Sequence, residues 1–516
     1  MTSASFNETA NGKSLGLDSI ATLGLDDFQR LLLESVAKGR RVCSLFGTFP
    51  ANAGKDQVAG IEIWAVVADD TRNSLFVGRT LVTGDTFPSL AERCPQVQLF
   101  EREIAEQFGL RPEGHPWFKP VRYVRSWTGR DAWNRPADEV ILPGVGDFYR
   151  VEGDQVHEVA VGPVHAGVIE PGHFRFQCHG EQVFHLEIAL GYQHRGIEKA
   201  LIGGPNARSL HFAETLAGDS TIAHATAYSQ AVEALSNGRK SARAQVLCGI
   251  ALELERLANH SGDLGAISGD VGFLPTASYC GRIRGDFLNM SALLCGNRFG
   301  RGFVRPGGTG FDLDDQRRDE LLRRLKVAEK ETDIAVDLMW NEQSVMARLE
   351  DTGRLPREVA IELGIVGPPA RASGLTRDVR CDQPFGIYRF AQLPVSSYDS
   401  GDVFARAFIR KLEIQQSIAF IREQLSSLPA GTTGQSPSSH TRLSPDCVVV
   451  SLTEGWRGEV CHTAITNGQS GFSRYKIVDP SFHNWSALAY ALRDQEISDF
   501  PLCNKSFNLS YCGHDL

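Results

Sequence analysis

Several features that mark common protein classes are missing from this sequence of 516 residues. No window contains the roughly 20 consecutive apolar residues that a transmembrane helix requires, so any membrane contact is expected to come through other proteins. The N-terminus has no basic stretch followed by an apolar core, so no secretory signal is predicted. The net charge of −9 argues against a nucleic-acid-binding surface. We therefore expect a cytoplasmic chain that binds no nucleic acid.

The eleven cysteines are spaced in a way that excludes familiar sites. No C-x-x-C pair occurs, which removes the commonest pattern for iron–sulfur and zinc sites. The odd count and the wide spacing favour free thiols in a reducing compartment over a disulfide framework. The glycines at 203–204 and 307–310 are more typical of turns than of a dinucleotide fingerprint. No dinucleotide site is therefore predicted in this chain.

The hydrophobic patterns that are present predict an α+β fold with two unequal domains. Residues 1–25 are polar and rich in serine and asparagine, which predicts a flexible tail. Residues 26–125 mix helical and strand-like periodicity, which predicts a small α/β domain. Residues 126–155 contain several Pro and Gly breaks, which predicts an extended connector. Residues 156–516 open with strand signals and become largely helical, so we expect a large, mainly helical domain with β-sheets at its edges.

One helix is predicted with particular clarity at residues 241–260, where four apolar residues form a stripe at helical spacing. On the same helix Glu253, Arg256 and His260 share one face. This arrangement is more typical of a buried polar cluster whose hydrogen bonds are satisfied than of a catalytic centre.

Several motifs occur in the order in which one known family carries them. They are G-P-V-H at 162–165, E-P-G-H-F-R-F at 170–176, H-R-G-I-E-K at 194–199, the helix that starts with R-A-Q at 243, and G-P-P-A-R-A-S-G at 367–374. Together they resemble the large subunit of formate hydrogenlyase and its counterpart in respiratory complex I. Residues 39–125, which include F-E-R-E-I-A-E-Q-F-G-L-R-P-E-G-H-P at 100–116, resemble the small hydrophilic complex I subunit that precedes it.

The resemblance implies a large, hydrogenase-like subunit of a membrane-associated redox complex. It implies an iron–sulfur small subunit, which carries the cluster, and antiporter-like integral membrane subunits as partners. The chain would then lie on the cytoplasmic side of the inner membrane and touch the membrane only through those partners. No cofactor is assigned to the chain itself, and a quinone is the ligand to consider. The alternative is a non-catalytic subunit that couples the soluble arm to a membrane arm.

The chain departs from the nickel–iron members of the family at the metal ligands. Those members use two C-x-x-C pairs, because soft thiolates suit nickel and low-spin iron. The first pair falls here on Ala217 and Ser220, and the second falls on Ser510 and Gly513. Cys512 remains nearby, but one thiol cannot replace four. We therefore predict no metal site and no hydrogenase activity in this chain.

The quinone site of complex I is also incomplete. The family's headgroup tyrosine corresponds to Gly218, with Tyr228 further along, whereas His165 matches the first histidine of the quinone-site loop. Because the four thiolate positions converge in the family, segments 217–220 and 506–513 are predicted to face each other around an open space, with site residues nearby.

The remaining assignments also follow from the resemblance. Glu198 matches a proton-relay carboxylate, and burial is expected to raise its pKa. Arg371 is expected to stabilise developing negative charge. A plainer alternative for the motif at 194–199 is two solvated ion pairs on a helix. The predicted catalytic residues are Glu198, His194, Arg195, Arg371 and His224, and the predicted cofactor-binding residues are His165 and Tyr228.

Overall fold

The computed structural model describes residues 5–50, 60–165, 169–434 and 442–516. It confirms the α+β class, with a strand-rich N-terminal unit and a larger, mainly helical C-terminal part. In the described part of the chain, no helix combines the length and apolar character needed to cross a membrane.

The N-terminal unit is built on a five-stranded sheet. Its strands run in the order β1-β6-β5-β4, and β3 also pairs with β6, in parallel. Helix α2 packs on β4 and presents several carboxylates to the rest of the chain. The elements are β1 (Asn7–Thr9), β2 (Ser14–Gly16), β3 (Thr22–Leu23), α1 (Leu25–Ala37), β4 (Arg41–Thr48), β5 (Ile61–Asp69), β6 (Ser74–Val82), β7 (Thr86–Pro88), α2 (Gln98–Phe108) and β8 (Arg111–Glu113).

Residues 114–155 contain no helix or strand. The larger part follows, and its three-stranded sheet has the order β11-β10-β9. Its first elements are β9 (Val156–Val161), β10 (His173–His179), β11 (Gln182–Ala189), α3 (Ile197–Leu201), α4 (Ser209–Glu214), α5 (Thr221–Ser236), α6 (Ala242–Asp270), α7 (Leu274–Cys295), β12 (Val304–Arg305), β13 (Gly308–Thr309), α8 (Asp315–Trp340) and α9 (Gln343–Leu349).

The C-terminal part of the chain contains a four-stranded antiparallel sheet of order β16-β15-β14-β2, and short helices surround this sheet. The remaining elements are α10 (Arg357–Glu362), α11 (Gly367–Ala372), α12 (Val379–Asp382), α13 (Val403–Ser426), β14 (Cys447–Gly455), β15 (Gly458–Thr466), β16 (Phe472–Val478), α14 (Pro480–Ala491), α15 (Phe500–Phe507) and α16 (Tyr511–Asp515).

Helix α6 lies at the centre of the large core. The side chain of Ser241 caps it by accepting a hydrogen bond from the N–H of Ala244, and α7 and α13 pack along it. The predicted burial of this polar cluster is confirmed, but its hydrogen bonds are not all satisfied, because the Nδ1 of His260 has no partner among the described residues. The Nε of Arg256 donates to Glu253 at 3.1 Å, and His260 lies 2.8 Å from Glu413, all four side chains being buried.

The β14–β15 hairpin turns tightly between Gly455 and Gly458. Gly458 has φ of +130°, and a Cβ there would lie 2.7 Å from the Cα of Gly367. Only glycine fits such a position, because a side chain would meet both backbone strain and the neighbouring backbone. The turn presents Arg457 at its tip, towards segments 217–220 and 506–513.

The prediction of a flexible tail is wrong for residues 5–25. Strands β1 and β3 pair with β6, while β2 forms the edge of the C-terminal sheet beside β14. This stretch therefore connects both sheets. Residues 1–4 lie outside the described residues. The predicted boundaries at 125 and 155 stay predictions.

The buried side chain of Asn11 explains why this stretch is ordered. Its Nδ2 donates to the carbonyl oxygens of Gln383 at 2.7 Å and Leu452 at 3.0 Å. Its Oδ1 accepts from the N–H of Leu452 at 2.8 Å and from Gln230 at 3.0 Å. The composition of a polar segment cannot reveal such partners, because they lie more than 200 residues away.

We expect Asn11→Ala to lower the free energy of unfolding by about 2–3 kcal/mol, because it leaves buried backbone groups of Leu452 and Gln383 without partners. Asn7→Ala is the matched control, since the Asn7 side chain makes one exposed hydrogen bond. Denaturant unfolding of the full chain measures both. Equal losses for the two variants would mean that the Asn11 contacts do not hold the segment in place.

Candidate functional site

Segments 217–220 and 506–513 lie close together, because the side chain of Arg195 contacts the backbone of both regions. One Nη of Arg195 donates to the carbonyl oxygens of Leu216 at 2.9 Å and Cys512 at 3.2 Å. A single guanidinium can reach both carbonyls only if the two segments are neighbours. The predicted approach of the two segments is therefore confirmed.

Arg457 lies between the same two segments and is buried. Its Nε donates to the carbonyl oxygen of Asn508 at 2.6 Å, and both Nη atoms donate to Asp219 at 2.6 and 2.8 Å. One Nη also reaches Ser220 at 3.3 Å, and the guanidinium lies 3.9 Å from the ring centre of Trp456. Burial lowers the pKa of Arg457, but Asp219 more than compensates and raises it above its usual value. A permanent cation thus stands between the segments.

A chain of hydrogen bonds starts beside this cation and runs into the core. Asp479 lies 3.0 Å from the Nε2 of His224, whose Nδ1 lies 3.1 Å from His462. The other nitrogen of His462 lies 2.9 Å from the hydroxyl of Tyr475. Burial raises the pKa of Tyr475, so its hydroxyl keeps its proton and donates to His462. Burial and the neighbouring His224 lower the pKa of His462, so His462 is neutral. Each histidine then donates towards Asp479, and the chain can carry a proton shift along aligned hydrogen bonds.

The residues at the former thiolate positions do not fit a nickel–iron centre. A Cβ on Gly513 would lie 2.6 Å from the Cγ of Asp479, so a cysteine has no room there in this backbone. Burial and the nearby Glu170 raise the pKa of Cys512 to about 12, which keeps it a thiol, whereas metal ligation needs a thiolate. Among the described residues, no group of three or more His, Cys, Asp or Glu side chains could hold a metal ion.

The arginine–glycine motif positions the C-terminal residues. The N–H groups of Arg195 and Gly196 donate to the carbonyl oxygen of Leu516 at 3.0 and 3.1 Å, and His194 lies 2.7 Å from the carbonyl oxygen of Asp515. Gly196 has φ of +68°, which glycine adopts without strain. His194 and Arg195 therefore precede the helix and bind the backbone of Asp515 and Leu516, in place of the solvated ion pairs.

The expected rise in the pKa of Glu198 is wrong. Burial does raise the pKa of Glu198, but the positive charges of Arg474, Lys476 and Arg122 lower it by more. The resulting pKa is well below the usual value. The carboxylate lies 2.9 Å from Arg474 and 3.0 Å from Lys476, and it accepts from Gln107 of α2 at 3.2 Å. Glu198 is therefore an ion-paired carboxylate where the N-terminal unit meets the C-terminal sheet.

Arg371 belongs to a separate buried ion cluster. Its guanidinium lies 2.8 Å from both Glu413 and Glu454, and it donates to the carbonyl oxygen of Arg377 at 2.9 Å. Glu454 is three residues before Arg457 in the hairpin. Arg371 thus supports the base of the turn, whereas Arg457 at its tip contacts both segments, as Arg195 also does.

His165 and Tyr228 occupy different surroundings. His165 lies 3.1 Å from the carbonyl oxygen of Gly172, which packs so closely on Tyr511 that a Cβ there would lie 2.6 Å from the tyrosine ring. Gly172, and with it His165, therefore lies next to the second segment. Tyr228 is a core residue whose ring lies 6.1 Å from that of Tyr475, and burial raises its pKa to about 12.

Sequence reasoning missed four residues of the site, namely Arg457, Asp219, Asp479 and His462. For the arginine a signal exists in W-R-G at 456–458, where a charged residue interrupts two apolar strands at a glycine turn. The two acids and the histidine carry no local signal, because their partners lie far along the chain.

Two family models match the chain. Residues 270–515 match the respiratory-chain NADH dehydrogenase 49 Kd subunit, and residues 52–134 match the 30 Kd subunit. The carbon monoxide-induced hydrogenase of Rhodospirillum rubrum is 30% identical over 68% of this chain and 97% of its own length. The chain belongs to this family of large redox-complex subunits.

Relatives on both sides of the family are similar to the chain. Formate hydrogenlyase subunit 5 of Escherichia coli is 29% identical over 82% of this chain and 76% of its own length. The NADH-quinone oxidoreductase subunit 4 of Thermus thermophilus is 29% identical over 67% of this chain and 90% of its own length. The predicted resemblance of the chain to fused complex I-type subunits is therefore confirmed. The prediction that the chain is a subunit of a membrane-associated redox complex is also confirmed.

Proposed function

We propose that this protein binds an iron–sulfur small subunit beside segments 217–220 and 506–513 and takes part in electron transfer to a small organic acceptor, without nickel. A quinone is the candidate acceptor. We further propose antiporter-like membrane subunits as partners and a position on the cytoplasmic side of the inner membrane, because similar proteins include a membrane-bound hydrogenase and NADH-quinone oxidoreductase subunits.

The observation that carries the proposal is the fixed cation of Arg457 between the two segments. Reduction of a quinone to a quinol takes two electrons, supplied through the partner's cluster, and two protons. A buried guanidinium is suited to stabilise the negative charge that develops on the acceptor. Asp479, the acceptor at the end of the chain from Tyr475, lies within one residue contact of this place and is suited to relay protons.

Hydrogen chemistry is not part of the proposal, since the donor set lacks thiolates and Asp479 fills the position next to Gly513. We expect the complex, purified from detergent-solubilised membranes through a tag on this chain, to contain iron and no stoichiometric nickel. Metal analysis by mass spectrometry measures both. Stoichiometric nickel, or hydrogen evolution from reduced viologen, would contradict the proposal.

A purely structural coupling role is the second candidate. It is favoured by the fact that Arg195 and Arg457 both tie neighbouring segments together. One measurement distinguishes the two functions, namely the electron-transfer rate of an assembled complex in which Arg457 has been replaced by an uncharged residue. The rate falls if the protein takes part in electron transfer and is unchanged if its role is structural.

A further inference from the structure

A second site lies where the N-terminal unit meets the larger part of the chain. A pocket of about 260 Å³ opens between α2, residues 117–123, strand β11 and helix α14. Its buried lining residues include Leu186, Leu190 and Trp485, while Arg493 and Lys119 are more exposed. The pocket therefore has an apolar floor and a charged mouth.

The charges that line this pocket do not balance. Arg102, Lys119 and Arg493 face a single carboxylate, that of Glu187. Glu187 is already engaged, because it lies 2.6 Å from Lys119 and accepts from the N–H of Tyr149 at 2.8 Å. Arg102 donates only to carbonyl oxygens, and in the described residues neither it nor Arg493 has a carboxylate within ion-pair distance. Burial lowers the pKa of Arg102, as expected for a cation whose charge is poorly compensated.

The walls are aromatic and carry unused hydrogen-bonding groups. Trp117 stacks on His185 with ring centres 5.2 Å apart, and Tyr490 lines the same pocket. Trp485 is only 4% exposed, and within the described residues its indole N–H has no acceptor. The Nε2 of His185 is likewise buried and unpartnered there. Both nitrogens are closed off from the pocket, so its walls offer a ligand their aromatic faces and not these hydrogen bonds.

We propose that this pocket binds a small aromatic carboxylate. Its carboxylate is recognised by Arg102 and Arg493, and its flat ring by the aromatic walls. A metal ion does not suit three cations and one engaged carboxylate. Inorganic phosphate would leave the apolar floor and walls unused. The site is independent of the electron-transfer proposal, and its walls come from both units, so binding also favours their association.

The test uses the full chain in its purified complex with 1-naphthoate as the probe and isothermal calorimetry as the measurement. We expect one naphthoate per chain, and binding of the neutral 1-naphthamide at least about tenfold weaker. Arg493→Gln should weaken naphthoate binding by about tenfold, since it removes one exposed cation without touching the core.

Arg389→Gln, which alters a cation at a different cavity, is the matched control and should bind naphthoate like the wild type. The proposal is overturned if naphthoate does not bind, or if naphthamide binds equally well. It is also overturned if Arg493→Gln binds naphthoate as tightly as the control. Because Arg493 is exposed, its variant retains the fold and keeps the test decisive.

Discussion

Arg457→Gln is expected to lower electron transfer by the assembled complex by about a hundredfold, the usual effect of removing one fixed electrostatic group from a reaction site. Glutamine can still donate to the carbonyl oxygen of Asn508, so the two segments stay in place. Asp219 loses its partner, but its side chain is one-third exposed and water can solvate it. The measurement is quinone reduction by membranes that hold equal amounts of complex.

Arg457→Lys restores the charge without the forked geometry and should recover part of the rate. Arg243→Gln is the matched control, because Arg243 binds Asp312 and carbonyl oxygens at the start of α6, away from the site. If Arg457→Gln transfers electrons as fast as the control, the protein has the structural coupling role instead. If the complex fails to assemble with Arg457→Gln but assembles with the control variant, the main role of the guanidinium is to hold the two segments together.

The largest expected effect on stability comes from Glu413→Gln, about 3–5 kcal/mol at neutral pH, the range for breaking a buried ion pair. Glu413 lies 2.8 Å from Arg371, 3.3 Å from Arg256 and 2.8 Å from His260, and all four are buried. An amide cannot compensate the two guanidinium charges. Thermal unfolding of the full chain measures the effect.

The matched control is Glu423→Gln, the same substitution on an exposed position of the same helix, and it should leave the melting temperature unchanged. Burial raises the pKa of Glu413, but Arg371, His260 and Arg256 lower it far more. A carboxylate whose folded pKa is depressed stabilises the fold above its unfolded pKa, and this contribution is lost as the pH falls through the folded pKa. Wild type and Glu413→Gln should therefore differ most at neutral pH. Equal melting temperatures there would contradict the assigned ion cluster.

The sequence by itself determined the family, because several motifs occur in one order and each needs only local matching. It also determined the loss of the nickel–iron ligands, since Ala217, Ser220, Ser510 and Gly513 are visible without coordinates. The central helix and its buried polar face followed from periodicity, which is a property of neighbouring residues.

Only the tertiary structure decided the chemistry of the individual groups. The pKa of Glu198 depends on Arg474 and Lys476, which are more than 270 residues away, so burial alone predicted the wrong direction. Asn11 is ordered by distant backbone groups that composition cannot reveal. The site cation is Arg457, and not Arg371, because the hairpin tip reaches both segments whereas Arg371 lies in the ion cluster at the base of the hairpin. A charge acquires its role from the groups that the fold places within a few ångströms of it, and sequence spacing does not record those distances.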